Sequence, residues 1–158
     1  MTQTNLHKVT PLYERDYVAW ADEQALLLEQ ERFAELDLIN LVEEVRDLGR
    51  RERDALESQL IRLLLHLQKW QYQPDKRTSS WEISIKDARR QIARLCKKYS
   101  VLRKHLYSES VFYECYLYAR ESAADETGLP LNTFSIEYGL EEVLNPEFFP
   151  SLINHDRR

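Results

Sequence analysis

Few residues in this chain have side chains and spacing suited to chemistry, and the first to weigh is a histidine. His66 sits in "LIRLLLHLQKWQYQP", residues 60–74, within the most apolar stretch of the sequence. There an imidazole is either a hydrogen-bonded core group or a general base with a pocket around it. On a helix Arg62 lies one turn before His66 and within its reach, Lys69 follows on the same sector, and Trp70 lies beside it. Two basic groups beside an apolar core call for a carboxylate. Glu43, Glu44, or an acid late in the chain such as Glu114 or Glu121, is the expected source. The candidate polar cluster is therefore Glu43, Glu44, Arg62, His66, Lys69 and Trp70. No residue is assigned a catalytic role, because the sequence supplies a possible orienting partner for His66 but no pocket. The expectation is a structural, hydrogen-bonded histidine, a lysine that lays its stem along the helix and a tryptophan that fills the core.

A metal reading has little behind it. His7, His105 and His155 fall in connectors or tails, and neither Glu-x-x-His nor His-Glu-x-x-His occurs. Glu44 and His66 are roughly 33 Å apart along a straight helix. No metal and no cofactor are expected. Cys96 and Cys115 form no CxxC pair and read as buried thiols in a reducing compartment, which points to the cytoplasm. The opening "MTQTNLHKVT" has no apolar core of the secretory kind. No apolar run approaches the ~20 residues that span a bilayer, so no membrane partner is expected.

The second chemical feature is charge. Residues 76–105 carry ten lysines and arginines against Glu82 and Asp87, a local +8 in a chain whose total is −5. Arg89, Arg90, Arg94, Lys97 and Lys98 form a candidate anion-binding set. Such a segment is ordinarily a solvated helix face or a complement to acids of the same domain. It could also hold phosphates, although lysines and arginines on a helix give affinity without base readout.

The elements that must position these residues are helices. Three glycines and five prolines in 158 residues leave little room for a many-turned β fold. Thr10-Pro11 opens a first helix to about residue 31. Asp37 caps a second, over about 38–72, whose apolar positions Leu41, Val42, Val45, Leu48, Leu56, Leu60, Leu63, Leu67 and Trp70 keep one face. Gly49 falls on that face, where it either permits a close crossing or marks a kink. Ser79 and Glu82 have capping-box spacing for a third helix to about residue 99. A fourth covers about 111–126 and ends at Thr127-Gly128-Leu129-Pro130, a C-cap glycine followed by proline. The tail, 129–158, holds one short helix in "LEEVLNPEFFP" and phenylalanines that cover a bundle end. The expected fold is all-α, one domain over residues 1–158: a single bundle of four main helices with a long central second helix and an extended C-terminal tail.

Over about residues 12–150 these segments resemble a bacterial family catalogued as domain of unknown function 29. The resemblance is most specific at Glu43-Glu44, Gly49, His66-Leu67-Gln68-Lys69-Trp70 and Thr127-Gly128-Leu129-Pro130. "VFYECYLYARESA" is more aromatic than the family pattern, and Arg51 stands where a small polar residue is common. The resemblance implies a small helical bundle and no particular activity. The expected function is a non-enzymatic cytoplasmic protein-interaction module, meeting a protein partner or a second copy. The alternatives are nucleic-acid association through the basic helix, and an enzyme or ligand-binding protein with a polar cleft at His66.

Overall fold

The computed structural model describes residues 11–135 and 137–152, and every regular element among the described residues is helical. Thr10, Ile136 and tail residues 153–158 lie outside the described residues, so the expected Thr10 cap is not among them. Contacts sort the chain into two compact units, Met1–Arg51 and Glu52–Arg158, with one long helix contributing to both.

In the first unit the single helix expected over 11–31 is two, α1 (Pro11–Arg15) and α2 (Tyr17–Glu29). Asp16 makes the break. Its backbone leaves the helical region (φ −149°, ψ 86°) and its carboxylate accepts the Ala19 N–H at 3.0 Å. A short acid that can cap competes with helix continuation at its own position. Glu31, in the left-handed region at φ 57°, marks the exit from α2. A 3₁₀ turn, Phe33–Glu35, leads to Asp37, which caps α3 (Leu38–Tyr72) by accepting the Asn40 N–H at 3.3 Å. The 35 residues of α3 span about 52 Å at about 1.5 Å each.

In the second unit α3 is joined by α4 (Ser79–Lys98), α5 (Ser100–Leu106), α6 (Glu109–Thr127) and α7 (Leu140–Leu144). Leu56, Leu60, Leu63, Leu64 and Leu67 are buried to 1% exposure or less among Ile85, Ala88, Ile92, Leu102, Leu106 and Ala119. α5 stands where the sequence pattern implies a connector. Extended Tyr99 (φ −128°, ψ 103°) turns the chain between α4 and α5, and Leu102 and Leu106, one turn apart, bury the new helix. The cap of α4 is also corrected. Thr78 is the N-cap, its hydroxyl accepting the Trp81 N–H at 3.3 Å, and Ser79 is the first helical residue. Glu82 is thereby one position too late for a capping box and bonds Lys86 instead. Gly128 ends α6 at φ 71°, a left-handed conformation that costs a glycine nothing sterically. Beyond it, Phe148 and Phe149 fold back against the core, Phe149 meeting the Trp70 ring at 5.1 Å.

Candidate functional site

The candidate polar residues fall into sets with separate partners. In the first unit, Glu44 accepts the hydroxyls of Tyr13 (2.6 Å) and Tyr17 (2.7 Å). Those bonds hold its carboxyl below the usual range and push the Tyr13 phenol up to about 12. Tyr13 and Tyr17 pack their rings on Trp20, whose indole N–H donates to buried Asp37 at 3.0 Å. Asp37 also accepts from the Asn40 amide at 2.7 Å, while its own N–H donates to Gln24 at 2.8 Å. Glu43 stays exposed and pairs with Arg46 at 3.0 Å. These contacts tie α1 and α2 to α3 and its cap Asp37, pack α1 on α2, or stay within one helix.

In the second unit, Arg62 donates to Asp87 of α4 at 2.8 Å and to Gln59 at 3.2 Å. Lys69 meets Glu126 of α6 at 2.6 Å and lies 4.7 Å above the Trp81 ring. The acids that answer these cations are thus Asp87 and Glu126, where sequence reasoning nominated Glu43, Glu44, Glu114 and Glu121. Helical spacing locates residues along one helix but says nothing of which neighbour lies across from them. Half-buried His66 sits between the two cations. Its Nδ1 bonds the Arg62 carbonyl at 2.8 Å; a carbonyl only accepts, so Nδ1 carries the hydrogen and Nε2 the lone pair. Burial lowers the ring's pKa, so it is neutral at physiological pH. Trp70 is packed by Phe149 and by Arg77, which lies 4.8 Å over its ring and donates to its carbonyl. Among the described residues no three histidine, cysteine, aspartate or glutamate side chains are placed to hold a metal ion.

Beside this row lie two glutamines that sequence reasoning passed over. Gln68 is fully buried with neither amide atom hydrogen-bonded, and Gln71 accepts the Tyr138 hydroxyl while its NH₂ is unpaired. Both stand in the run "HLQKWQ", where a polar residue amid leucines was the available signal.

The five basic candidates do not act as one set. Arg89 is buried, and its guanidinium donates to the carbonyls of Val143 (2.8 Å), Pro146 (3.2 Å) and Phe148 (2.7 Å) beneath the Phe149 ring. It clamps the C-terminal segment onto α4 and has little left for an external anion. Arg90, Arg94, Lys97 and Lys98 are exposed. Arg90 lies 3.6 Å from Asp87. Arg94 and Lys98 line a cleft that they share with Glu52, whereas Lys97 faces a separate one with Arg103 and Cys96. Burial raises the pKa of both thiols, that of Cys115 to about 11, so neither is poised as a thiolate.

A family model described as "Domain of unknown function DUF29" matches residues 12–149. No curated protein matches the chain, and no solved structure does. No helix among the described residues is long and apolar enough to cross a membrane.

Proposed function

The chain belongs to the DUF29 family, and from that premise we propose that it is a non-enzymatic interaction module of the bacterial cytoplasm that pairs with a second copy of itself. The observation that carries this reading is the face of α3 in the first unit. Leu38, Val42, Val45 and Leu48 keep helical spacing yet are 40, 45, 65 and 63% exposed. Asn40 and Glu44, which make the contacts to the rest of that unit, project from another side of the helix. A periodic apolar stripe left in water is the signature of a helix awaiting a partner.

Self-complementarity favours a second copy as the occupant. An antiparallel crossing centred between Arg46 and Asp47 sets Val45 of each copy against Leu48 of the other, so that one stripe covers the other. The polar groups of the second unit support binding over catalysis. Arg62 and Lys69 are neutralised by Asp87 and Glu126, and His66 is oriented by a carbonyl of its own helix. The exposed cations of α4 have Asp87 and Glu52 among them, a poor surface for a polyanion.

Sedimentation equilibrium tests the pairing. The expected result is a concentration-dependent dimer that Val45→Glu converts to monomer with unchanged helix content. Leu48→Glu, at the position facing Val45, should do the same. A wild-type chain that stays monomeric at high concentration, or a dimer indifferent to Val45→Glu, would overturn the reading.

A further inference from the structure

In the second unit the end of α6 where the helix begins faces the segment that precedes α7, and between them lies a cleft of about 470 Å³. That volume is within the range of roughly 300–1,000 Å³ occupied by small-molecule sites. Four of its lining residues are aromatic, Phe112, Tyr113, Tyr116 and Tyr138, and two are acidic, Glu109 and Glu137. Ser110 completes the wall, and among the described residues no lysine, arginine or histidine lines it. We propose that this cleft binds a small alkylated ammonium ion, its charge held over the aromatic faces and countered by the two glutamates.

The chemistry is specific on three counts. Aromatic faces carry negative quadrupole potential, and several of them around one apolar space attract a cation too bulky to be strongly hydrated. Neither glutamate takes part in an ion pair or hydrogen bond among the described residues, so both carboxylates are available to a ligand. Burial raises the Tyr116 phenol to about 12 and the Glu137 charge adds to that rise, so this carboxylate acts on the wall of the cleft. Arg120, a cation whose charge also acts on Tyr116, directs its guanidinium to the Leu131 carbonyl at 3.3–3.4 Å. An anion would meet two like charges there, and a neutral apolar ligand would leave both unused.

The walls are also fixed before any ligand arrives. Tyr116 and Tyr138 are 4 and 6% exposed. The Tyr138 hydroxyl is anchored on Gln71, and its ring packs edge-on against Phe148 at 5.6 Å. Rings held in this way lose little freedom on binding. Tyr113, 56% exposed, stands at the rim.

Isothermal titration calorimetry with choline as the probe tests the proposal, set against dimethylbutanol, the neutral alcohol that has carbon in place of the charged nitrogen. Choline should bind saturably and the alcohol should not. Tyr113→Ala and Glu137→Gln change exposed side chains and should each weaken choline roughly three- to tenfold with unchanged helix content. No saturable choline binding, equal binding of the neutral alcohol, or wild-type affinity in both variants would overturn the assignment.

Discussion

The two halves of α3 have one pattern and two fates. Leu56, Leu60, Leu63 and Leu67 are at most 1% exposed, whereas Val42, Val45 and Leu48, on the same helix with the same period, are 45 to 65% exposed. The difference lies in what the rest of the chain supplies. Past Glu52, four more helices and two phenylalanines close over α3. Before it, the first unit buries Trp20, Leu27 and Leu36 beside a polar network of Asp37 with Trp20, Gln24 and Asn40, and Glu44 with two tyrosines, and leaves the stripe uncovered. Hydrophobic periodicity reports that a helix has a face to bury. It does not report that its own chain will do the burying.

The largest effect that separates the halves is truncation of their apolar side chains. Leu64→Ala, at a fully buried site, should cost about 2–5 kcal/mol through lost burial and an unfilled cavity. Val45→Ala should change the stability of the dilute chain by about 0.5 kcal/mol or less. Denaturant titrations of the two variants measure this directly. A loss at Val45 comparable to that at Leu64 would mean that the first stripe is covered within the chain, and the contrast would collapse.

This contrast also marks how far the sequence could be read. Helices, their order and the long central α3 were legible because leucine spacing, Asp37 and Gly128 are local signals. The break at Asp16 and the separate α5 were not, since a capping acid and a four-residue leucine spacing are also compatible with a continuous helix and a loop. At the candidate site, helical spacing sets Arg62, His66 and Lys69 within a turn of one another on α3. It missed Asp87 and Glu126, which sit 25 and 57 residues away from the cations they answer. Arg89 was counted among surface cations because a buried arginine that binds backbone carbonyls has no sequence signature. The aromatic cleft required the fold, for Tyr138 is 22 residues from Tyr116 and only their shared lining reveals them as neighbours.

A smaller effect sharpens the account of how the second unit is punctuated. Thr78→Ala removes the acceptor of the Trp81 N–H and should destabilise α4 by about 1 kcal/mol. Ser79→Ala, at the first helical position, should be near neutral, because its side chain makes no capping bond there. Thermal melts of the pair decide between the two assignments. Equal losses, or a larger one at Ser79, would restore Ser79 as the cap and move the start of the helix.

The smallest effect, and the most diagnostic for the polar row, is the pH dependence carried by His66. Burial dominates and lowers its folded pKa from 6.5; the Arg62 carbonyl opposes this, Lys69 reinforces it, Glu126 opposes it and the Arg62 charge reinforces it. With the folded value depressed, the unfolded chain binds the proton more readily below pH 6.5, so unfolding takes up a proton there. The stability due to neutral His66 is complete above 6.5 and declines as pH falls from 6.5 towards the folded value, below which it is flat. His66→Gln preserves a polar group and cannot titrate, so it should flatten the stability profile in that window. His105, which bonds Glu57 at 2.6 Å, is retained in both proteins and cancels in the comparison. Denaturation midpoints from neutral to mildly acidic pH give the two profiles. Parallel slopes would show that His66 is protonated as easily in the folded protein as in the unfolded chain, and the half-buried neutral ring between two satisfied ion pairs would have to be abandoned.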